Sequence, residues 1–196
     1  MEFHAEAISE MLGINIDVYG FDSGKGLPQK NAGYKDMTHF WPAKSFGMDE
    51  TLLKSNLKKA KLIIGDIASE IETFLDVGVA PIGCMLIDVD YYSSTLPILN
   101  FLNNDDIFFM PRIYMYFDDV FPEYEFQGES LAIKEFNQRS RDMKISPENI
   151  VYLDYRMKTK ICSRFKHPKY NDWSCVYDSC TYSGREELEL PFRNQL

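Results

Sequence analysis

Several familiar motifs are missing from this chain of 196 residues, and each absence narrows what it can do. No GxGxxG or other phosphate-cradling loop occurs. Gly24-Lys25-Gly26 comes closest, but it runs into Leu27-Pro28 and a long irregular stretch rather than a helix. The four cysteines, Cys84, Cys162, Cys175 and Cys180, form no CxxC pair, which points away from a zinc site. Cys84 lies in an apolar run and is expected in the core. Cys175 and Cys180 could pair, although thiols are the default in a reducing compartment. The three histidines are scattered. No apolar stretch approaches the ~20 residues that span a bilayer. With a net charge of −9, binding to a nucleic-acid backbone is disfavoured. The one basic stretch, Lys54 to Lys61, reads as a solvated helix face.

What is present suits a folded globule. The sequence is 45% hydrophobic and 14% aromatic, and its length suggests a single domain over 1–196 with enough chain for a real core. The acidic N-terminal segment reads as a helix rather than a signal peptide, so a cytoplasmic protein is expected, with no membrane partner. A homo-oligomer is compatible with this composition.

Apolar spacing predicts a helix over 2–12 stopped by Gly13, and a strand over 16–21. A helix capped by Asp49 follows, with Leu52, Leu53 and Leu57 inward. Strands are predicted at 61–65, 82–88, 112–117 and 150–154, and helices at 68–76 and 129–139. Between 82–88 and 112–117 lies a helix capped by Ser93 or Ser94, with Pro97 in its first turn. Another strand is expected around 174–182. Strands alternating with helices imply an α/β fold, a mostly parallel sheet with helices on both faces.

Two apolar runs end in carboxylates: GCMLIDVD (83–90) and IYMYFDD (113–119). In an open α/β sheet, the C-terminal strand edge is where ligands sit. Neighbouring acidic tips repel unless a cation or hydrogen-bond donors neutralise them. The pattern therefore asks for a hard metal ion, a polyol ligand or proton transfer. Asp88 and Asp90 also suit plain capping of the next helix, and Asp22 before Ser23-Gly24 also suits a turn. Asp66 could cap the 68–76 helix. His39, Phe40 and Trp41 form an aromatic knot that reads either as a lid over substrate or as a staple under a long loop. His167 reads as a surface-loop residue.

Five segments occur in a telling order: VYGFDSGKGLP (18–28), IIGDI (63–67), IDVDYYSST (87–95), YFDDVF (116–121) and AIKEF (132–136). Together they resemble the class I S-adenosylmethionine-dependent methyltransferases, most closely the macrocin O-methyltransferase-like group, over roughly residues 3–140. The resemblance implies a Rossmann-like methyltransferase fold whose motif-bearing core is 1–140, followed by C-terminal strands and a polar tail. It also implies O-methyl transfer from S-adenosylmethionine, assisted by a divalent ion expected to be magnesium, to a small-molecule hydroxylated acceptor such as a sugar. By position, Asp22 would bind the cofactor ribose. Asp66 would sit beside the adenine, with Ile67 packed on the ring. Asp88 would serve as a metal ligand at the edge of the cofactor site, and Asp118 and Asp119 as the metal pair. Asp90 would be either a fourth ligand or the catalytic proton acceptor. The family's central first strand and Gly-rich loop have no counterpart in the sequence, so two strands are expected to lack a neighbour. The usual Gly-Gly before the last metal-bearing strand is replaced by Met110-Pro111-Arg112. Two other functions fit the same residues: an inactive methyltransferase-like scaffold and a metal-dependent hydrolase.

Overall fold

The computed structural model describes residues 2–29, 32–120, 125–147 and 159–166. It is a mixed α/β structure with two sheets. The first pairs β1 (Tyr19–Asp22) with β2 (Lys61–Ile64) in parallel. The second has β3 (Ile82–Ile87), β4 (Phe109–Phe117), β5 (Met143–Pro147) and β6 (Thr159–Arg164) in the order β3-β4-β6-β5. β3 and β4 are parallel, whereas β6 runs antiparallel to both β4 and β5. The expectation of a mostly parallel sheet is corrected on this side, because half of the observed strand pairings are antiparallel. The predicted strands at 150–154 and 174–182 lie outside the described residues, as do His167, Cys175 and Cys180.

The core lies on one face of the second sheet. Ile87, Phe109, Ile113, Met115 and Phe117 point into it, where they meet Leu99 and Leu102 from the end of α4 (Tyr92–Phe101) and Ala132 and Phe136 from α5 (Gly128–Arg139). This alternation is the period-2 signature of a sheet with one buried face. On the other face Leu86 is 50% and Tyr114 48% exposed, and Cys84 is exposed as well. The expectation of a core Cys84 is thus corrected. The strand is apolar on both faces, but among the described residues helices cover only one, so helices on both faces are not observed at β3 and β4. Among the described residues the buried cysteine is Cys162 in β6, whose thiol burial pushes up to about 11.

The first sheet packs against the core through Tyr19, Phe21 and Ile63, with Phe74 at the contact. Phe74, in the single turn after α3 (Ile67–Thr73), stands edge-on to Tyr19 and Phe21 at 4.9 and 5.1 Å and contacts Phe101 at 6.3 Å. Each such pair adds about 0.5–1.5 kcal/mol beyond its burial. Helices α1 (Glu2–Leu12) and α2 (Glu50–Asn56) sit at the periphery. Asp49 caps α2 as expected, accepting from Leu52 N at 2.9 Å. The predicted inward face of α2 is not buried, and Leu52 is exposed. The basic stretch is solvated, with Lys54 paired to Glu50 and Lys59 to Glu6, but the expectation of a helix face is corrected: α2 ends at Asn56 and Lys61 opens β2.

The N-terminus of α4 departs from expectation. Neither Ser93 nor Ser94 is its cap; both lie inside the helix, and Pro97 lies beyond the first turn. The capping carboxylate arrives from elsewhere: Asp36 accepts from Ser93 N at 2.8 Å and Ser93 Oγ at 2.9 Å, and it also holds Ala32 N. Asp36 therefore closes its own loop and an orphan helix donor at once.

Candidate metal centre at the strand tips

The acidic runs converge because β3 and β4 are adjacent and in register. Ile87 pairs with Phe117, and Asp118 N donates to Ile87 O at 3.0 Å. The next residues, Asp88 and Asp118, therefore leave the sheet side by side. One carboxylate oxygen from each of Asp88, Asp118 and Asp119 can be chosen so that all lie within 4.8 Å of one another. Two oxygens on one ion are separated by at most twice the bond length, about 4.2 Å for magnesium and about 5 Å for calcium. The three aspartates thus lie at a spacing compatible with a hard divalent cation. Asp118 is steadied by Tyr116, whose hydroxyl donates to Oδ1 at 2.7 Å.

Asp90 closes the site from behind. It has φ +55°, a left-handed conformation uncommon for a residue with a side chain, and Tyr91 N reaches back to Val89 O at 2.5 Å to make a tight three-residue turn. The turn directs the Asp90 carboxyl inward, where it is buried and hydrogen-bonded to Asp119. Burial, then the charges of Asp119, Asp88 and Asp118, push its pKa up to about 7. A carboxyl held there near neutral pH can take up a proton, the behaviour expected of a proton acceptor.

Sequence reasoning missed Glu129. It is wholly buried at the start of α5, and its two oxygens accept from Val89 N at 3.2 Å and Asp119 N at 3.0 Å. Burial raises its pKa to about 8 against the opposing pull of those two N–H groups. An acid in the first turn of a helix reads as complementing the helix dipole; the one further signal is Gly128 immediately before it. Gly128 has φ +53°, and a Cβ there would lie 2.9 Å from Asp90 O and 2.9 Å from Met37 Sδ.

The residues assigned to the cofactor lie on the other sheet. Asp22 ends β1, and its Oδ1 accepts from Gly24 N at 2.6 Å. Asp66 follows β2 and caps α3 by accepting from Ala68 N at 3.0 Å, with Ile67 next to it and half-buried. The register Asp22↔Ile64 sets these tips side by side. The loop leaving β1 is fastened to the segment leaving β3 through Asp36–Ser93 and through the Tyr91 hydroxyl, which donates to Trp41 O at 2.5 Å. It is also fastened to α5 through Lys35 and Glu135 at 2.8 Å. Of the aromatic knot, His39 and Phe40 are in ring contact at 4.3 Å and Trp41 meets Phe46 at 5.5 Å, while Phe40 and Phe46 remain largely exposed. The knot is a partly open rim rather than a buried staple.

A cavity of about 340 Å³ lies elsewhere, at the N-terminal end of β4, lined by Asn104, Asp106, Asp142, Arg164 and Lys166 among others. Four of its charged residues are paired, Arg164 with Asp106 and Lys166 with Asp142, and Asp105 lines it as well. No helix among the described residues is long and apolar enough to cross a membrane. Neither a protein-family model, nor a curated protein, nor a solved structure matches the chain.

Proposed function

We propose that the strand-tip aspartates hold a divalent cation, expected to be magnesium, and that the chain performs S-adenosylmethionine-dependent O-methyl transfer to a small hydroxylated, sugar-like acceptor. The observation that carries this reading is the convergence of Asp88, Asp118 and Asp119. The division of the strands into β1-β2 and β3-β4-β6-β5 supports it further. The resemblance expects two strands to lack a neighbour, and β1 and β3 each have one strand partner among the described residues. The sheet is Rossmann-like in this reading, interrupted at one position.

A cation bound there would lower the pKa of an acceptor hydroxyl and orient its oxygen. Asp88, Asp118 and Asp119 supply the hard oxygen ligands this requires. Asp90 accepts the hydroxyl proton from its buried position behind Asp119. Asp22 Oδ1 is engaged by Gly24 N, while Oδ2 is available to a ribose hydroxyl. Asp66 and Ile67 line the neighbouring tip. Methyl transfer is an in-line displacement at carbon, so holding the two reactants in place supplies much of the rate.

Calorimetry with S-adenosylhomocysteine and magnesium tests the reading. Micromolar, magnesium-supported binding is expected. Magnesium binding without the nucleoside would favour the metal-dependent hydrolase, to be checked by phosphate release from sugar phosphates. The second reading is an inactive scaffold, which binding of neither ligand, by this chain or by one carrying upstream sequence, would favour.

A further inference from the structure

We propose that Glu129 is a positioning residue that sets the spacing of the two acidic strand tips; the inference rests on the metal-binding reading above. The tips belong to different strands; the last backbone bond between them is Asp118 N to Ile87 O at 3.0 Å, and beyond it the paired ladder has ended. Past that point the chain turns sharply at Asp90 on one side and runs into Asp119 and Val120 on the other. Glu129 bridges both. Its Oε1 takes Val89 N, between Asp88 and Asp90, and its Oε2 takes Asp119 N, within the Asp118-Asp119 pair. Each acidic segment is thus held by its backbone to one planar carboxyl group, which has a fixed distance between its oxygens.

The carboxyl itself is rigidly mounted. It is wholly buried, and α5 is locked against the core by Leu131, Ala132, Ile133 and Phe136. Gly128 lets the helix start approach the Asp90 carbonyl more closely than any side chain would allow. Glu129 spends both oxygens on N–H groups of the ligand-bearing loops, so its contact is with the backbone that carries the ligands. Holding metal ligands in place through such outer contacts is a recognised determinant of affinity.

Glutamine at this position keeps one acceptor but turns an N–H₂ toward the other backbone N–H. The test is Glu129→Gln in the full chain, with Phe136→Leu on the same helix as a control for general loosening. Amide hydrogen exchange is read at Val89 and Asp119, and Mn²⁺ affinity by electron paramagnetic resonance. In the wild type both amides are expected to be slow. In Glu129→Gln at least one becomes fast and Mn²⁺ affinity falls about 10- to 100-fold, while Phe136→Leu changes neither. Both amides staying slow with Mn²⁺ affinity intact would overturn the proposal, as would an equal loss in Phe136→Leu. If the wild type binds no Mn²⁺, the metal reading fails and the amides alone judge the clamp: selective loss of protection in Glu129→Gln upholds it, and retained protection ends it. Should Glu129→Gln not fold, Glu129→Asp, a methylene too short to reach both donors, allows the same comparison.

Discussion

The two ends of β4 carry the same residue type and treat it in opposite ways. At the N-terminal end Asp106 receives the Arg164 guanidinium through two nitrogens, at 2.8 and 2.5 Å. Arg164 also donates to Leu102 O and Asn104 O and lies over the Phe109 ring at 4.5 Å. Nothing in that arrangement calls for a further ligand. At the C-terminal end the groups pressing on Asp90 are all carboxylates, and Glu129 is relieved only by backbone N–H groups. One end is electrostatically closed, while the other is built under repulsion that a cation would relieve. The cavity thus lies at the end with paired charges, and the charge imbalance at the other.

Removing the closure at the balanced end should have the largest effect. Arg164→Ala leaves Asp106 and the Leu102 and Asn104 carbonyls without their donor, and a loss of about 2–4 kcal/mol is expected in urea denaturation with Mn²⁺ affinity of the folded fraction unchanged. An equal loss of metal binding would mean that the two ends are not independent. Gly128→Ala strikes the unbalanced end, where the left-handed backbone and the Asp90 carbonyl both oppose a Cβ; about 1–3 kcal/mol of destabilisation is expected, together with weaker Mn²⁺ binding. Unchanged stability would show that the approach of α5 is not tight.

Asp118→Ala with Asp119→Ala should abolish metal binding yet raise stability in metal-free buffer by about 1 kcal/mol, because repulsion is removed. Thermal unfolding with and without magnesium checks both halves. A separate effect is a slope in pH. Asp90 and Glu129 titrate higher in the folded chain, near 7 and 8, than carboxyls do when unfolded. The folded state therefore binds more protons between the ordinary carboxylate range and pH 8. Metal-free stability should be full below that range and fall as pH rises through 7 to 8. Saturating magnesium should flatten the slope, and a metal-free profile rising across this window would contradict the described burial of the two groups.

Much of the layout was legible in advance because it is local. Strands 61–64 and 82–87, helix 128–139 and the caps at Asp49 and Asp66 follow from apolar spacing and short polar side chains at element ends. The acidic tips were legible for the same reason, since a run of strand formers ending in aspartate has few other readings. The antiparallel pair β5-β6 was not. The 143–147 segment is only five residues long and carries lysine, serine and proline, and it becomes a strand because β6 is there to pair with it.

By itself the sequence determined that two apolar strands end in aspartates, that α5 presents one apolar face, and that a net charge of −9 disfavours a nucleic-acid backbone as partner. Only the tertiary structure decided that those aspartates meet, that Asp36 caps a helix 57 positions along the chain, that Cys84 faces outward, and that Glu129 joins both tips. The physical reason is range. Periodicity and capping act over one or two turns of chain, whereas a buried carboxyl selects its partners by where packing brings unsatisfied N–H groups, and no local pattern records that.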